Sequence, residues 1–234
     1  MCGRYAASRD AVEIAQIYGA EQIPVDEPAP RIPNFNVTPT SEVFIVADDD
    51  GARAVHAARW GLIPSWSKDA SRAARMINAR SETVAEKPAY RSAYRHRRCI
   101  VPADGYYEWR AAESGRGKQP FFISDPDGQP LSFAGLYETW KSPDGPVLSC
   151  TILTQDAQGP LSTIHDRMPV LVPMSQVTAW LDPVDQDPSQ LLHDLTGDRS
   201  IVRALRAFPV STAVNKPINN GAHLLDPIGP DLAS

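Results

Sequence analysis

The sequence predicts an α+β fold in one domain spanning residues 1–234, with a largely antiparallel sheet, curled or barrel-like, flanked by helices. Three observations predict it. Short runs rich in β-branched and aromatic residues, RCIVPAD, GYYEWR, QPFFISD, LSFAGLYETW and VLSCTILT, follow one another between Gly, Pro, Asp and Ser clusters, the pattern of consecutive antiparallel strands. Stretches with helical apolar spacing are few and short. No internal repeat, low-complexity tract or linker divides the 234 residues, and 42% apolar content suffices for a core.

Taken in order, Ser8 is suited to cap a helix whose apolar positions Val12, Ile14, Ala15, Ile17 and Tyr18 recur at helical spacing, and Gly19 stops it. Residues 21–40 contain five prolines, at 24, 28, 30, 33 and 39, and are expected to run as irregular extended chain without a regular element. EVFIVAD and ARAVHAARWG read as two strands joined across the Asp48-Asp49-Asp50-Gly51 turn. A second helix is predicted to begin at Pro88, whose fixed φ suits a first helical position. It sets Tyr90 and Tyr94 on one face and its arginines outward. After the five strand-like runs come RMPVLV, helices around SQVTAWL and SQLLHDL, and a late strand near AFPVST.

The opening residues MCGRYAASRD place charges where a secretory signal needs an apolar stretch, and no later run reaches membrane-spanning length. A soluble, intracellular protein with no membrane partner is expected. Cys2, Cys99 and Cys150 are odd in number and lack C-x-x-C spacing, so neither a disulfide framework nor a zinc cluster is expected. Cys99 and Cys150 lie in apolar strand-like runs and read as small packed residues. The five histidines, at 56, 96, 165, 193 and 223, show no paired ligand spacing, and no metal is expected.

The net charge of −5 argues against coating nucleic acid through bulk charge, but the charge is uneven. Between Arg53 and Arg98, eleven Lys/Arg stand against three acids, a balance of +8, so the remainder carries −13. Such a block is either a solvated face or a phosphate-binding one. Trp60, Trp66, Tyr90 and Tyr94 are interleaved with it, and charge plus aromatic platforms is how single-stranded nucleic acid is held.

Removal of Met1 would leave Cys2 as a terminus with an α-amine beside its thiol, a 1,2-aminothiol. The two groups have ordinary pKa values near 8 and 8.5, so both are usable nucleophiles at neutral pH. With an aldehyde the amine forms an imine, and the thiol closes on the imine carbon to a five-membered thiazolidine, favoured because the closure is intramolecular. Glu108 in DGYYEWR is either a solvent-face strand residue or, if buried, a carboxyl with a raised pKa suited to proton transfer. His165 in TIHDRMP is a turn residue or a proton exchanger. Asn78 and Arg80 in MINARSET offer an amide and a guanidinium fork, either as loop structure or to orient a reacting group and hold phosphate.

MCGRYA, NVTP at 36–39, WGLIPSW at 60–66, INARSET at 77–83 and CIVPADGYYEW at 99–109 occur in this order, followed by AGLYETW, TILTQDA, HDRMPV and VNKPINNG. The set resembles the SRAP family, once named SOS-response-associated peptidases and understood as abasic-site-crosslinking proteins, over nearly the whole chain. The resemblance implies catalytic roles for Cys2, Asn78, Glu108 and His165, and DNA contacts at Arg4, Arg80, Thr154 and Arg167, with Trp66 as a stacking or wedging aromatic. Where some members carry two consecutive tryptophans, this chain has Trp66-Ser67, which leaves the second aromatic contact without a counterpart.

The function so implied is covalent capture of the aldehyde of an abasic site in single-stranded DNA during the DNA damage response. It would be performed by a monomer without cofactor in the cytoplasm, associated with the nucleoid in a bacterium. Two other readings stay open at this point: a cysteine peptidase with Cys2 as nucleophile and His165 as base, trimming Met1 or other chains, and a non-catalytic DNA-binding module.

Overall fold

In the computed structural model, residues 2–22, 29–49, 51–111, 117–182, 184 and 188–232 are described. In chain order the elements are β1 (Tyr5–Ala7), α1 (Ala11–Tyr18), β2 (Glu21–Gln22), β3 (Asn34–Val37), β4 (Glu42–Asp49), β5 (Ala52–Trp60), β6 (Asn78–Arg80), α2 (Arg91–His96) and β7 (Arg98–Ala103). They continue with β8 (Gly105–Ala111), β9 (Lys118–Ser124), β10 (Leu131–Ser142), β11 (Gly145–Asp156), β12 (Arg167–Pro169), α3 (Val177–Leu181), α4 (Pro188–Gly197), α5 (Ser200–Ala204) and β13 (Arg206–Pro209).

Strands β11, β10, β7, β4 and β5 pair in that order, and β5 pairs back onto β11 in parallel, which closes a five-stranded barrel. A second, antiparallel sheet runs β13-β9-β8-β1-β3. The α+β class and the barrel-like curl expected from the sequence are both present. Alternation along the barrel strands explains the layering. Ile45, Ala47, Cys99, Val101, Phe133, Cys150 and Ile152 belong to an inner cluster, while their neighbours Val46, Ile100, Ala134 and Leu153 belong to an outer one with α1, α2, α3 and α4. Cys99 and Cys150 are packed residues as expected, fully buried. Gly135 is required beside the first of them: a Cβ there would lie 2.8 Å from Cys99 Sγ.

Several local expectations are corrected. The first helix is capped by Asp10 rather than Ser8. Asp10 Oδ1 accepts from Glu13 N at 2.9 Å and Glu13 Oε2 accepts from Asp10 N at 3.0 Å, a reciprocal box that satisfies two otherwise unpaired donors. Ser8 instead donates its backbone N–H to Asp104. Gly19 ends the helix at φ 59°, as expected. The proline-rich stretch 21–40 does carry strands: β2 adds in parallel to β5, and β3 pairs with β1. Pairing partners distant in sequence override the local signal there.

The β4–β5 hairpin forms as read, with Gly51 at φ 88° donating its N–H to Asp48 Oδ1 at 2.8 Å; Asp50 lies outside the described residues. The second helix begins at Arg91, three residues after Pro88, and exposes Arg91 and Arg95 as expected. Of the aromatics interleaved with the basic block, Trp60, Tyr90 and Tyr94 are core residues and only Trp66 is exposed. Arg98 in that block is also buried, its guanidinium spent on the carbonyls of Tyr94, Arg95, Trp180 and Asp182. Among the described residues no helix is long and apolar enough to cross a membrane.

Candidate functional site

The N-terminal strand is carried into the core by pairing on both edges. Tyr5 lies opposite Val37 on one side and Tyr106 on the other, and Ala6 lies opposite Gly105. Gly105 permits this approach of sheet layers: a Cβ there would stand 2.4 Å from Phe122 Cζ and 2.5 Å from Ile123 O. The Tyr5 ring meets Trp60 and Phe133 edge-on, with centroids 5.1 and 6.0 Å apart. Three residues upstream, Cys2 is fully buried in the cluster that fills the barrel. Burial pushes its thiol well above the ordinary range, and the Glu108 charge adds to the shift.

Asn78 opens β6, which runs parallel to β11 with Asn78 opposite Ile152 and Arg80 opposite Thr154. Its Nδ2 donates to the Cys2 carbonyl at 2.7 Å. Its Oδ1 is buried and has no hydrogen-bond partner among the described residues, so the amide keeps an acceptor to offer next to Cys2.

Glu108 projects from β8, opposite Phe121. At 3% exposure its carboxyl is pushed up to about 7, chiefly by burial, which poises it between acid and base at neutral pH. Its Oε2 lies 4.0 Å from His165 Nε2, too far for a direct hydrogen bond. His165 Nδ1 accepts the backbone N–H of Arg167 at 3.0 Å and also lies 2.7 Å from Asp166 Oδ1. The N–H needs a lone pair on Nδ1, whereas the carboxylate needs a proton there. Burial holds His165 below its ordinary pKa, which favours the neutral ring with its proton on Nε2, facing Glu108.

The residues expected at a DNA surface divide into two groups. Trp66 is 67% exposed and Arg80 is exposed. The loop bearing Trp66 is pinned from below: Trp140 Nε1 donates to Ser67 O at 2.7 Å, and Ile63 N donates to Ser149 Oγ at 2.9 Å. Arg4, Thr154 and Arg167 are engaged within the protein. Arg4 Nη1 donates to Asn36 Oδ1 and Val214 O at 2.7 and 2.8 Å, with the guanidinium 5.9 Å from the Trp109 ring centroid. Thr154 is buried, and Arg167 is buried with its fork on Glu82, Asp156 and the Thr154 carbonyl.

Residues 1–217 match the family model described as SOS response associated peptidase (SRAP). The chain belongs to the SRAP family. It is similar to the abasic site processing protein YoqW of Bacillus subtilis, at 36% identity over 97% of this chain and 99% of that one. It is also similar to the abasic site processing protein HMCES of Rattus norvegicus, at 30% identity over 97% of this chain and 76% of that one. Among solved structures, a protein from Bacteroides thetaiotaomicron superposes with a TM-score of 0.81 at 26% identity, covering 97% and 99% of the two chains.

Within this SRAP chain, the structure brings Cys2, Asn78, Glu108 and His165 together and sets Trp66 and Arg80 on the surface. Sequence reading missed three supporting residues. Asn36, in NVTP, accepts from Arg4 and donates to the carbonyls of Val214, Lys216 and Asn219. Trp140, in AGLYETW, holds the Trp66 loop, and Glu82, in INARSET, holds Arg167. Each lies in a quoted motif, but its partners are far away in sequence. Among the described residues, no three His, Cys, Asp or Glu side chains converge as metal ligands would.

Proposed function

We propose that this SRAP protein processes abasic sites in single-stranded DNA and that, once Met1 is removed, Cys2 captures the lesion covalently. The Cys2 amine adds to the C1′ aldehyde of the ring-opened sugar and expels water, giving an imine. The thiol then adds across the C=N bond, its sulfur bonding to carbon and its proton passing to nitrogen, which closes the thiazolidine. Glu108, poised near neutrality, opens the sugar ring and takes up the proton released by the amine. Neutral His165, with Nε2 toward Glu108, exchanges protons with the imine, and Asn78 fixes the nucleophile through its amide. Trp66, Arg80, Arg4, Thr154 and Arg167 serve the strand, and the crosslink shields the lesion from cleavage.

The observation that carries this reading is a buried Cys2, one residue from the start of the sequence, held by Asn78 and near a carboxyl whose pKa lies near 7. The peptidase reading, with Cys2 as nucleophile and His165 as base, is the alternative; burial beside Glu108 raises the Cys2 thiol in either reading, so the amine is what separates them.

The test is incubation of the purified protein with single-stranded DNA containing one abasic site, read as a heat-stable adduct by gel and mass spectrometry. A wild type and a Cys2→Ala variant that behave alike would overturn the proposal. Acetylation of the Cys2 amine separates the readings: it abolishes aldehyde capture and spares a thiol-dependent peptidase.

A further inference from the structure

Arg167 is paired with two carboxylates on its Nη edge, while its Nε is buried without a hydrogen-bond partner among the described residues. Its Nη1 donates to Glu82 Oε1 at 2.7 Å and Asp156 Oδ1 at 2.6 Å, while Nη2 donates to Glu82 Oε2 at 3.0 Å and the Thr154 carbonyl at 2.6 Å. Glu82 thus makes a two-pronged fork with the guanidinium, and Asp156 adds a second negative charge. Glu82 alone neutralises the Arg167 cation in this geometry; Asp156 is a second carboxylate on the same fork, and the cations Arg80, which acts on Glu82, and Arg199, which lines the same cavity, stand near the group.

The arrangement is one-sided. Arg167 is 7% exposed, whereas the side chains of Glu82 and Asp156 are 48% and 89% exposed. Both carboxylates line an open cavity of about 410 Å³ together with Ser81, Gln155, Gln158 and Arg199. Approach to the guanidinium from this cavity therefore passes through the two carboxylates. Planar carboxylate oxygens on an arginine fork occupy the positions that two non-bridging phosphate oxygens take in the same recognition. Arg80, exposed and opposite Thr154 in the β6–β11 register, continues the cationic line on the same edge.

We propose that Glu82, assisted by Asp156, is an internal phosphate mimic: it occupies the Arg167 fork in the free protein and yields it to a backbone phosphate of single-stranded DNA. Glu82 is then a specificity-determining residue. It weakens binding to undamaged strand, where no covalent step follows, and leaves capture of a lesion to be driven by the bond at Cys2. This rests on the single-strand reading above and adds to it a residue that opposes binding.

The test measures binding of an undamaged single-stranded oligonucleotide at several salt concentrations, for wild type, Glu82→Gln, Asp156→Asn and the charge control Asp231→Asn, whose carboxylate pairs with Arg206 elsewhere. Crosslinking to an abasic oligonucleotide is run in parallel. Glu82→Gln and Asp156→Asn are expected to bind on the order of two- to fivefold more tightly, the scale of an exposed ion pair. Their plots of log affinity against log salt are expected to keep the wild-type slope, because the same phosphate is held in the complex with or without Glu82, and Asp231→Asn is expected to match wild type in both. Folded variants with unchanged or weaker affinity would make Glu82 a structural strut and end the proposal, and a slope steeper by about 0.7 would end it too, by showing that the wild-type fork never takes up the phosphate. So would an equal gain in Asp231→Asn, which marks bulk charge alone. If wild type forms no adduct and binds no single strand, the functional reading itself has failed, a result distinct from a normal adduct with unmoved affinity in the variants.

Discussion

The side-chain amide of Asn78 donates to the main-chain carbonyl of Cys2 across 2.7 Å. That bond ties the start of the chain to β6, seventy-six residues away, and so fixes where the proposed nucleophile stands relative to Glu108 and His165. Replacing Asn78 with Ala leaves a buried carbonyl without its donor, at a cost of about 1–3 kcal/mol. The crosslinking rate is expected to fall at least about tenfold, the equivalent of some 1.4 kcal/mol of lost positioning. Asn78→Asp is expected to fall further, because its carboxylate faces the carbonyl oxygen. Thermal melting and single-turnover adduct formation check both variants, and a wild-type rate in Asn78→Ala would show that the tether is dispensable.

Glu108 makes the reaction and the stability depend on pH in predictable directions. Its carboxyl sits at about 7 in the folded chain against an ordinary value of 4.5. The folded state therefore holds the proton more tightly than the unfolded state does. Its stabilising contribution is complete below pH 4.5 and is lost as pH rises toward 7, on the order of 3 kcal/mol in total. Denaturant melts across this window are expected to show wild type losing stability with rising pH and Glu108→Gln losing much less. In adduct formation, wild type is expected to show an inflection near neutrality that Glu108→Gln lacks, together with a slower rate. An unchanged profile in the variant would remove Glu108 from the chemistry.

Cys2 separates the two steps of capture. Cys2→Ala keeps the terminal amine and loses the thiol, so the imine should still form and be trapped by borohydride reduction, while the heat-stable adduct disappears. The fold should survive, because removing one buried sulfur costs about 1 kcal/mol. Mass spectrometry with and without reductant reads the difference. A heat-stable adduct in Cys2→Ala without reduction would exclude the thiazolidine.

Trp66 is exposed and carries little of the fold, so Trp66→Ala is expected to change stability by less than about 0.5 kcal/mol. If a base stacks on it, affinity for single strand falls by about 1–3 kcal/mol. Trp140→Phe keeps the ring and removes the donor that holds Ser67 O, so it should produce part of the same affinity loss without touching Trp66. Its capture rate at saturating DNA should stay at the wild-type level. Fluorescence anisotropy with an undamaged oligonucleotide, paired with saturation kinetics on an abasic one, distinguishes a loosened loop from damaged chemistry.

Much of this protein was legible in its chain. Short β-branched and aromatic runs between turn residues announced the strands, because a barrel strand with one face inward and the other under helices is buried on both. Cys99 and Cys150 read as packing because they sit within such runs. The proposed reacting groups Cys2, Asn78, Glu108 and His165 were implied by the resemblance to the SRAP family that their motifs carry; the residues by themselves left an ordinary structural role open for each.

Other features were decided only by tertiary structure. The proline-rich segment gained β2 and β3 because β5 and β1 offered edges to pair with. Trp60, Tyr90 and Tyr94 became core while Trp66 stayed on the surface, a distinction that local pattern does not encode. Glu108 could be a solvent-face carboxylate or a poised acid on sequence grounds, and burial opposite Phe121 chose the second. Arg167, which the family resemblance placed at a DNA contact, is held by Glu82 and Asp156. The physical reason is the same in each case: sequence fixes which groups a residue can offer, but their charge state and their availability to a ligand depend on desolvation and on neighbours that folding brings from far along the chain.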